Sequence, residues 1–220
     1  MSPTVSEPSW TVVVPVKRLA AAKSRLRGAL PAVPHEELAL ALAADTVRAV
    51  RACPAVAGVV VVTDDPRVAA AVGPAGARVV ADTPDTGLNA AFRHGASAVA
   101  GGWVAGLTAD LPALRPAELA EALRAAGSGP EGVRRYVADA PGTGTVLLTA
   151  PPGVPLDPRF GAESAAAHAA SGAVALTGDW PSLRRDVDTA DDLTAAARLG
   201  LGPRTAALTS AGAPASAPAV

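Results

Sequence analysis

The run Gly58–Thr63 reads GVVVVT, apolar throughout and β-branched at every position after the glycine. A strand that is apolar on both faces suits the middle of a parallel sheet, where helices cover either side. Parallel neighbours need long crossover connections, usually helical, and the chain supplies them. Trp10–Val14, Arg78–Ala81, Trp103–Thr108, Gly132–Ala138 and Thr145–Thr149 read as further strands. Pro34–Ala52, Asp64–Val72, Gly87–Val99, Pro116–Ala126, Glu163–Ser171 and Ala190–Leu199 read as helices. In the first of these, Leu40, Ala43, Val47 and Val50 recur at three- and four-residue steps and make one face apolar. Pro34 suits a first helical turn, and Glu36 and Glu37 lie near the positive end of the helix dipole. This alternation predicts a three-layer α/β/α sandwich with a mostly parallel central sheet.

The 220 residues fit one domain over 9–200, with a polar lead at 1–8 and an Ala/Pro/Ser tail at 201–220 expected to stay disordered. A formal net charge of −1 and 3% aromatic residues argue against a nucleic-acid binder. No apolar run approaches the ~18 residues of a membrane span. Met1–Ser9 holds no lysine or arginine, so no signal peptide is expected and a cytoplasmic protein is. The single cysteine, Cys53, excludes an intrachain disulfide and reads as a buried small hydrophobe. The chain has 17 arginines but two lysines, Lys17 and Lys23, six residues apart, and one asparagine, Asn89. Where arginine is so favoured, clustered lysines point to a site that needs a compact point charge rather than a planar fork.

Ligands of open α/β sheets bind at the carboxyl ends of the strands. After the first strand, Lys17, Arg18, Lys23 and Arg25 with Ser24 put four cations and a hydroxyl within nine residues. That suits a polyphosphate; a solvated basic loop is the alternative. It is not a Walker A loop, because Lys17 and Ala22 stand where glycines are required. Gly142-Thr143-Gly144 likewise fails as a dinucleotide fingerprint, with Leu147 at the third glycine position and a strand following. Asp110 follows the strand Trp103–Thr108, and Asp186-Val187-Asp188 in an extended segment sends two carboxylates to one face. Three hard oxygen ligands beside a phosphate loop suit Mg²⁺; turn capping by Asp110 and helix capping by Asp188 are the alternatives. The Asn89 amide is able to face a base or ribose, or to cap a helix. Gly142–Thr145 and Arg159–Ser164 present hydroxyls and amides at turns, which suits a second anion site or ordinary capping. His168, four residues after Ser164, shares that face, whereas His35 and His94 read as helix-surface residues.

Taken in order, Val14-Pro15-Val16-Lys17, Ala22-Lys23-Ser24-Arg25-Leu26, Gly87-Leu88-Asn89, Asp110-Leu111-Pro112, Arg159-Phe160-Gly161 with Ser164 and His168, and Asp186-Val187-Asp188-Thr189 form a set. It resembles the guanylyltransferases of deazaflavin coenzyme F-420 biosynthesis, which act on phosphoenolpyruvate or 2-phospho-L-lactate. The resemblance spans about residues 10–200. The wider superfamily, molybdenum-cofactor and sugar-phosphate nucleotidyltransferases, usually carries a Gly-Gly pair in the first loop; Pro15-Val16-Lys17 stands here instead. The resemblance implies a Rossmann-like nucleotidyltransferase fold and transfer of GMP from GTP to a small phosphorylated three-carbon acid, with pyrophosphate released. It implies that Asp110, Asp186 and Asp188 hold Mg²⁺ and that Lys17, Lys23, Ser24 and Arg25 hold the GTP phosphates, the two lysines acting in catalysis. Gly87 would also bind the nucleotide, Asn89 would meet the nucleoside, and Thr145, Gly161 and Ser164 the acceptor. A nucleotidyltransferase for another acceptor and a non-catalytic nucleotide-binding module are the competing readings, and a glycosyltransferase also fits Asp-x-Asp.

Overall fold

The structure, a computed structural model, describes residues 8–20, 24–83, 85–99 and 101–211. Seven strands form one sheet in the order β3-β2-β1-β4-β6-β5-β7. They are β1 (Trp10–Pro15), β2 (Val56–Val62), β3 (Arg78–Val80), β4 (Trp103–Leu107), β5 (Arg135–Ala138), β6 (Thr145–Ala150) and β7 (Val174–Ala175). The pairs β1–β2, β2–β3, β1–β4 and β5–β7 are parallel, and β6 runs antiparallel to both β4 and β5. The expected mostly parallel sheet is therefore present, with one reversed strand.

Strand alternation divides the core in two. Val12, Val14, Val59 and Val61 face one layer, packed with Val47 and Val50 of α1 (His35–Arg51), Val68 of α2 (Pro66–Val72) and Leu119 and Leu123 of α4 (Pro116–Gly127). Val13, Val60 and Val62 face the other, against Ala91 and Phe92 of α3 (Leu88–Ser97) and Ala165 of α5 (Ser164–Ala170). Each of the four valines Val12, Val13, Val14 and Val61 is fully buried, a gain of about 1.5–3 kcal/mol per side chain. The GVVVVT run thus lies in β2 with helices on both faces. Gly95 lets α3 lie close on the sheet: a Cβ there would run into the side chains of Val13 and Val62. Cys53 is buried, as expected, and burial raises its thiol pKa.

Two readings need correction. The disorder expected from residue 201 does not hold for Pro203–Ala211, which forms α8; residues 212–220 lie outside the described set, as do 1–7. The cause is long-range. Asp45, buried in α1, accepts hydrogen bonds from the amides of Arg204 (3.2 Å) and Thr205 (2.8 Å). It supplies from another helix the anionic acceptor that the first turn of α8 needs. Asp45→Ala is expected to lower stability by about 1–2 kcal/mol; an unchanged urea midpoint would show that α8 adds nothing. His35, expected on a helix surface, is buried at 7% exposure, with Nδ1 3.0 Å from Glu36. The short α6 (Pro181–Arg184) and two-residue β7 were not expected, being too brief to carry a period.

Candidate active site

The strand order changes direction at β1, which lies between β2 and β4. Such a switch point opens a crevice at the carboxyl ends of the two diverging strands. A cavity of about 290 Å³ sits there, lined by Val16, Lys17 and Leu19 after β1, by Thr108 and Asp110 after β4, and by Leu88 opening α3. The hydroxyl Oγ1 of Thr108 is buried without a hydrogen-bond partner among the described residues. A larger cavity, about 410 Å³, opens at the other end of β4 beside Val104, Pro151 and Asp157. It contains none of the lysine, aspartate or hydroxyl residues expected to carry chemistry, so the smaller cavity is the candidate.

Lys17 Nζ lies 2.6 Å from Asp82 and 2.8 Å from Asp85, both on the segment joining β3 to α3. Partial burial works against the Lys17 charge, but its bonds to these carboxylates raise its pKa above the usual lysine value. The same contact holds the Asp85 carboxyl low. An ammonium has three N–H donors, so two carboxylates leave one for a phosphate oxygen. The loop itself is pinned by the Leu19 amide, which donates to Asp65 at 3.0 Å. Burial alone would raise the Asp65 carboxyl; the amides of Leu19, Arg67 and Val68 outweigh it and hold it low. Arg25 is exposed on the 3-10 turn Ser24–Leu26. Lys23 lies outside the described residues.

Asp110 is set by two elements. Thr46 of α1 accepts from the Leu111 amide at 2.9 Å, and the Val187 amide donates to the Asp110 carbonyl at 3.0 Å. That second bond brings Asp186-Val187-Asp188 alongside Asp110. Val187 is fully buried, whereas Asp186 and Asp188 on either side of it are half-buried. The helix-capping alternative for Asp188 is answered: Thr189 caps α7 (Ala190–Leu199) in a reciprocal box with Asp192. Among the described residues, no three His, Cys, Asp or Glu side chains stand close enough to hold a metal ion unaided. The three aspartates are neighbours rather than a preformed cage.

The residues expected to meet the acceptor lie in and around a second cluster. Thr145 opens β6, and its Oγ1 lies 2.9 Å from His168 Nδ1 in α5. Gly161, at φ +137°, and Ser164, 2% exposed, lie between them in sequence. The Ala165 amide donates to the Thr143 carbonyl at 3.0 Å, tying α5 to the turn before β6. That turn is organised by Asp139, whose carboxylate accepts from the amides of Gly142, Thr143 and Gly144 at 2.7, 3.0 and 2.8 Å. Among the described residues the non-glycine positions at positive φ are Asp157 and Glu163, which bracket this loop. Backbone strain of this kind gathers at ligand sites. The Asn89 amide donates to the Phe160 carbonyl at 2.9 Å and accepts from the Phe160 amide at 2.8 Å. These two bonds clamp the loop before Gly161 to α3 and leave one N–H and one lone pair of the amide for another partner.

Comparison with known proteins gives the family and the fold. Residues 24–150 match the MobA-like NTP transferase domain. A phosphoenolpyruvate guanylyltransferase of Salinispora arenicola is 75% identical over 205 residues, covering 93% of this chain and 95% of that protein. One from Geodermatophilus obscurus is 58% identical over 205 residues, covering 91% and 94%. The chain belongs to the phosphoenolpyruvate guanylyltransferase family of MobA-like nucleotidyltransferases. A solved nucleotidyl transferase from Methanothermobacter shares the fold, with a TM-score of 0.61 at 18% identity over 88% of this chain and 98% of that one. In this family member, sequence reading missed Asp82 and Asp85 as partners of Lys17, Thr108 at the cavity, Asp139 under the turn and the bonding of His168. Only Thr108 carried a local signal, being two residues from Asp110 at the end of its strand. No helix among the described residues is long and apolar enough to cross a membrane.

Proposed function

We propose that this nucleotidyltransferase moves GMP from GTP to phosphoenolpyruvate, or to 2-phospho-L-lactate, releasing pyrophosphate. With phosphoenolpyruvate the product is enolpyruvyl-2-diphospho-5′-guanosine, a precursor for deazaflavin coenzyme F-420, made in the cytoplasm. The observation that carries the reading is the switch-point cavity, which joins Lys17 after β1 to Thr108 and Asp110 after β4. The name of the guanylyltransferase family supports GTP and the acceptor.

The donor set fits Mg²⁺. Asp110 and the Asp186/Asp188 pair offer hard oxygen donors on two segments joined by the Val187–Asp110 backbone bond. Mg²⁺ is commonly held by one or two carboxylates together with substrate phosphates and waters, which suits adjacent aspartates better than a closed cage. When bound, the ion would neutralise charge on the attacking and leaving phosphate oxygens. The chain's own residues do the rest. Lys17, with Lys23 and Arg25 from the following segment, offsets the charge of the triphosphate and of departing pyrophosphate. Thr145, Gly161 and Ser164 seat the acceptor with its phosphate oxygen directed at the α-phosphorus. That oxygen forms the new P–O bond as the bond to the β-phosphate breaks. It is already anionic, so no general base is needed.

Ser164→Ala tests the division into two subsites. The acceptor KM is expected to rise about tenfold, with the GTP KM nearly unchanged. A rise confined to GTP would place Ser164 on the nucleotide side.

A further inference from the structure

His168 is the one histidine of the acceptor cluster, and its hydrogen bonds fix where its proton sits. The Arg159 amide donates to Nε2 at 2.9 Å. A backbone amide only donates, so Nε2 presents its lone pair and the proton of the neutral ring is on Nδ1. Nδ1 lies 2.9 Å from Thr145 Oγ1, so the ring donates and the threonine oxygen accepts. The Thr145 hydroxyl proton is then directed away from the ring, and among the described residues it meets no second partner. The ring stays neutral because it is fully buried. Burial first, then the charge of Arg134, lowers its pKa to about 4, against smaller opposing effects of the Ser164 carbonyl and Asp157.

The surroundings hold the ring in this pose. Phe160 meets it edge-on at 5.2 Å and Tyr136 lies 5.9 Å away. On its other side Phe160 stacks on Phe92 at 4.1 Å, and its backbone is clamped by Asn89. Two consecutive amides, of Arg159 and Phe160, are therefore each held by a side chain, one from α5 and one from α3. The loop that leads into Gly161 is gripped immediately before the acceptor residues.

We propose that His168 is a positioning residue for the acceptor: it holds the Arg159 amide and orients the Thr145 hydroxyl so that its proton faces an anionic oxygen of the substrate. This rests on the assignment of Thr145, Gly161 and Ser164 to the acceptor. The role depends on one nitrogen accepting and the other donating. A histidine kept only for packing would tolerate any ring of similar size.

His168→Phe keeps the ring and the burial but removes both nitrogens, whereas His168→Gln restores one acceptor and one donor. The Phe variant is expected to raise the phosphoenolpyruvate KM about tenfold or more, since a buried amide and hydroxyl lose their partners. Its GTP KM should stay within about twofold, and the Gln variant should recover much of the loss. An unchanged phosphoenolpyruvate KM in folded His168→Phe, or equal rises in both KM values, would overturn the proposal. Nitrogen NMR of the full chain, which has three histidines, needs neither turnover nor a variant. One imidazole should show the Nδ1-protonated form down to about pH 4, with its Nδ1 signal moved by added phosphoenolpyruvate. An Nε2-protonated ring at His168, or one indifferent to phosphoenolpyruvate, would overturn the proposal even if the Phe variant fails to fold. The two readings fail separately. Absence of pyrophosphate release by the unaltered protein, with the NMR response intact, refutes the transferase reaction and leaves the His168 assignment standing. Normal release with no KM effect does the reverse.

Discussion

Replacing Asp188 by alanine is expected to leave a folded chain whose pyrophosphate release is slower by on the order of 10³-fold, even at saturating Mg²⁺. Helix capping does not account for this residue, because Thr189 and Asp192 complete the cap of α7 between themselves. The neighbouring Val187 is fully buried in the cluster of Leu38, Leu42 and Leu193, and the Asp188 amide donates to Asp192 at 3.2 Å, so packing and that bond fasten the backbone through Asp188. A large loss of rate with little loss of stability therefore separates a ligand role from a structural one. Near-normal rates at high Mg²⁺ would remove Asp188 from the site.

Lys17→Ala should affect both activity and stability. The Asp82 side chain is 4% exposed, and Lys17 is its ion-pair partner at 2.6 Å. Its other oxygen, Oδ1, is buried without a hydrogen bond among the described residues. Removing the ammonium leaves a buried carboxylate uncompensated. The lysine itself is 29% exposed, so water recovers part of that loss and the expected destabilisation is about 1–2 kcal/mol. The GTP kcat/KM should fall about a hundredfold, as expected when a charge facing the transferring phosphates is lost. Lys17→Ala with Asp82→Asn should recover stability, because the stranded charge is gone, but not catalysis. Recovery of both would make Lys17 purely a structural partner of Asp82.

Local pattern was enough for the central architecture and not for its fastenings. GVVVVT announced β2, and the alternation of strand and helix segments foretold helices on both faces of the sheet, because these periods need no distant partner. Of the Asp-x-Asp segment the structure shows that Val187 is buried and its two neighbours are half-buried. What the sequence hid depends on residues far apart along the chain. α8 rests on Asp45, about 160 positions earlier. Asn89 was singled out by its rarity, yet nothing near it in sequence announced its partner Phe160, 71 residues on, to which it clamps the loop before Gly161. Lys17 was likewise singled out as a point charge, but nothing near it in sequence announced Asp82 and Asp85. The edge strand β7 has two residues, exposed in both positions, and owes its form to pairing with β5 rather than to any period of its own.

The central claim, GMP transfer at the β1/β4 switch point, is tested most directly by pyrophosphate release from the full chain. GTP, ATP, CTP and UTP are each paired with phosphoenolpyruvate, 2-phospho-L-lactate and 3-phospho-D-glycerate, with and without Mg²⁺. Release should require Mg²⁺, prefer GTP and occur with phosphoenolpyruvate or 2-phospho-L-lactate. Nucleotide binding without release for every pair would contradict it and make the chain a binding module, and release only with ATP, CTP or UTP would contradict the guanylyl assignment.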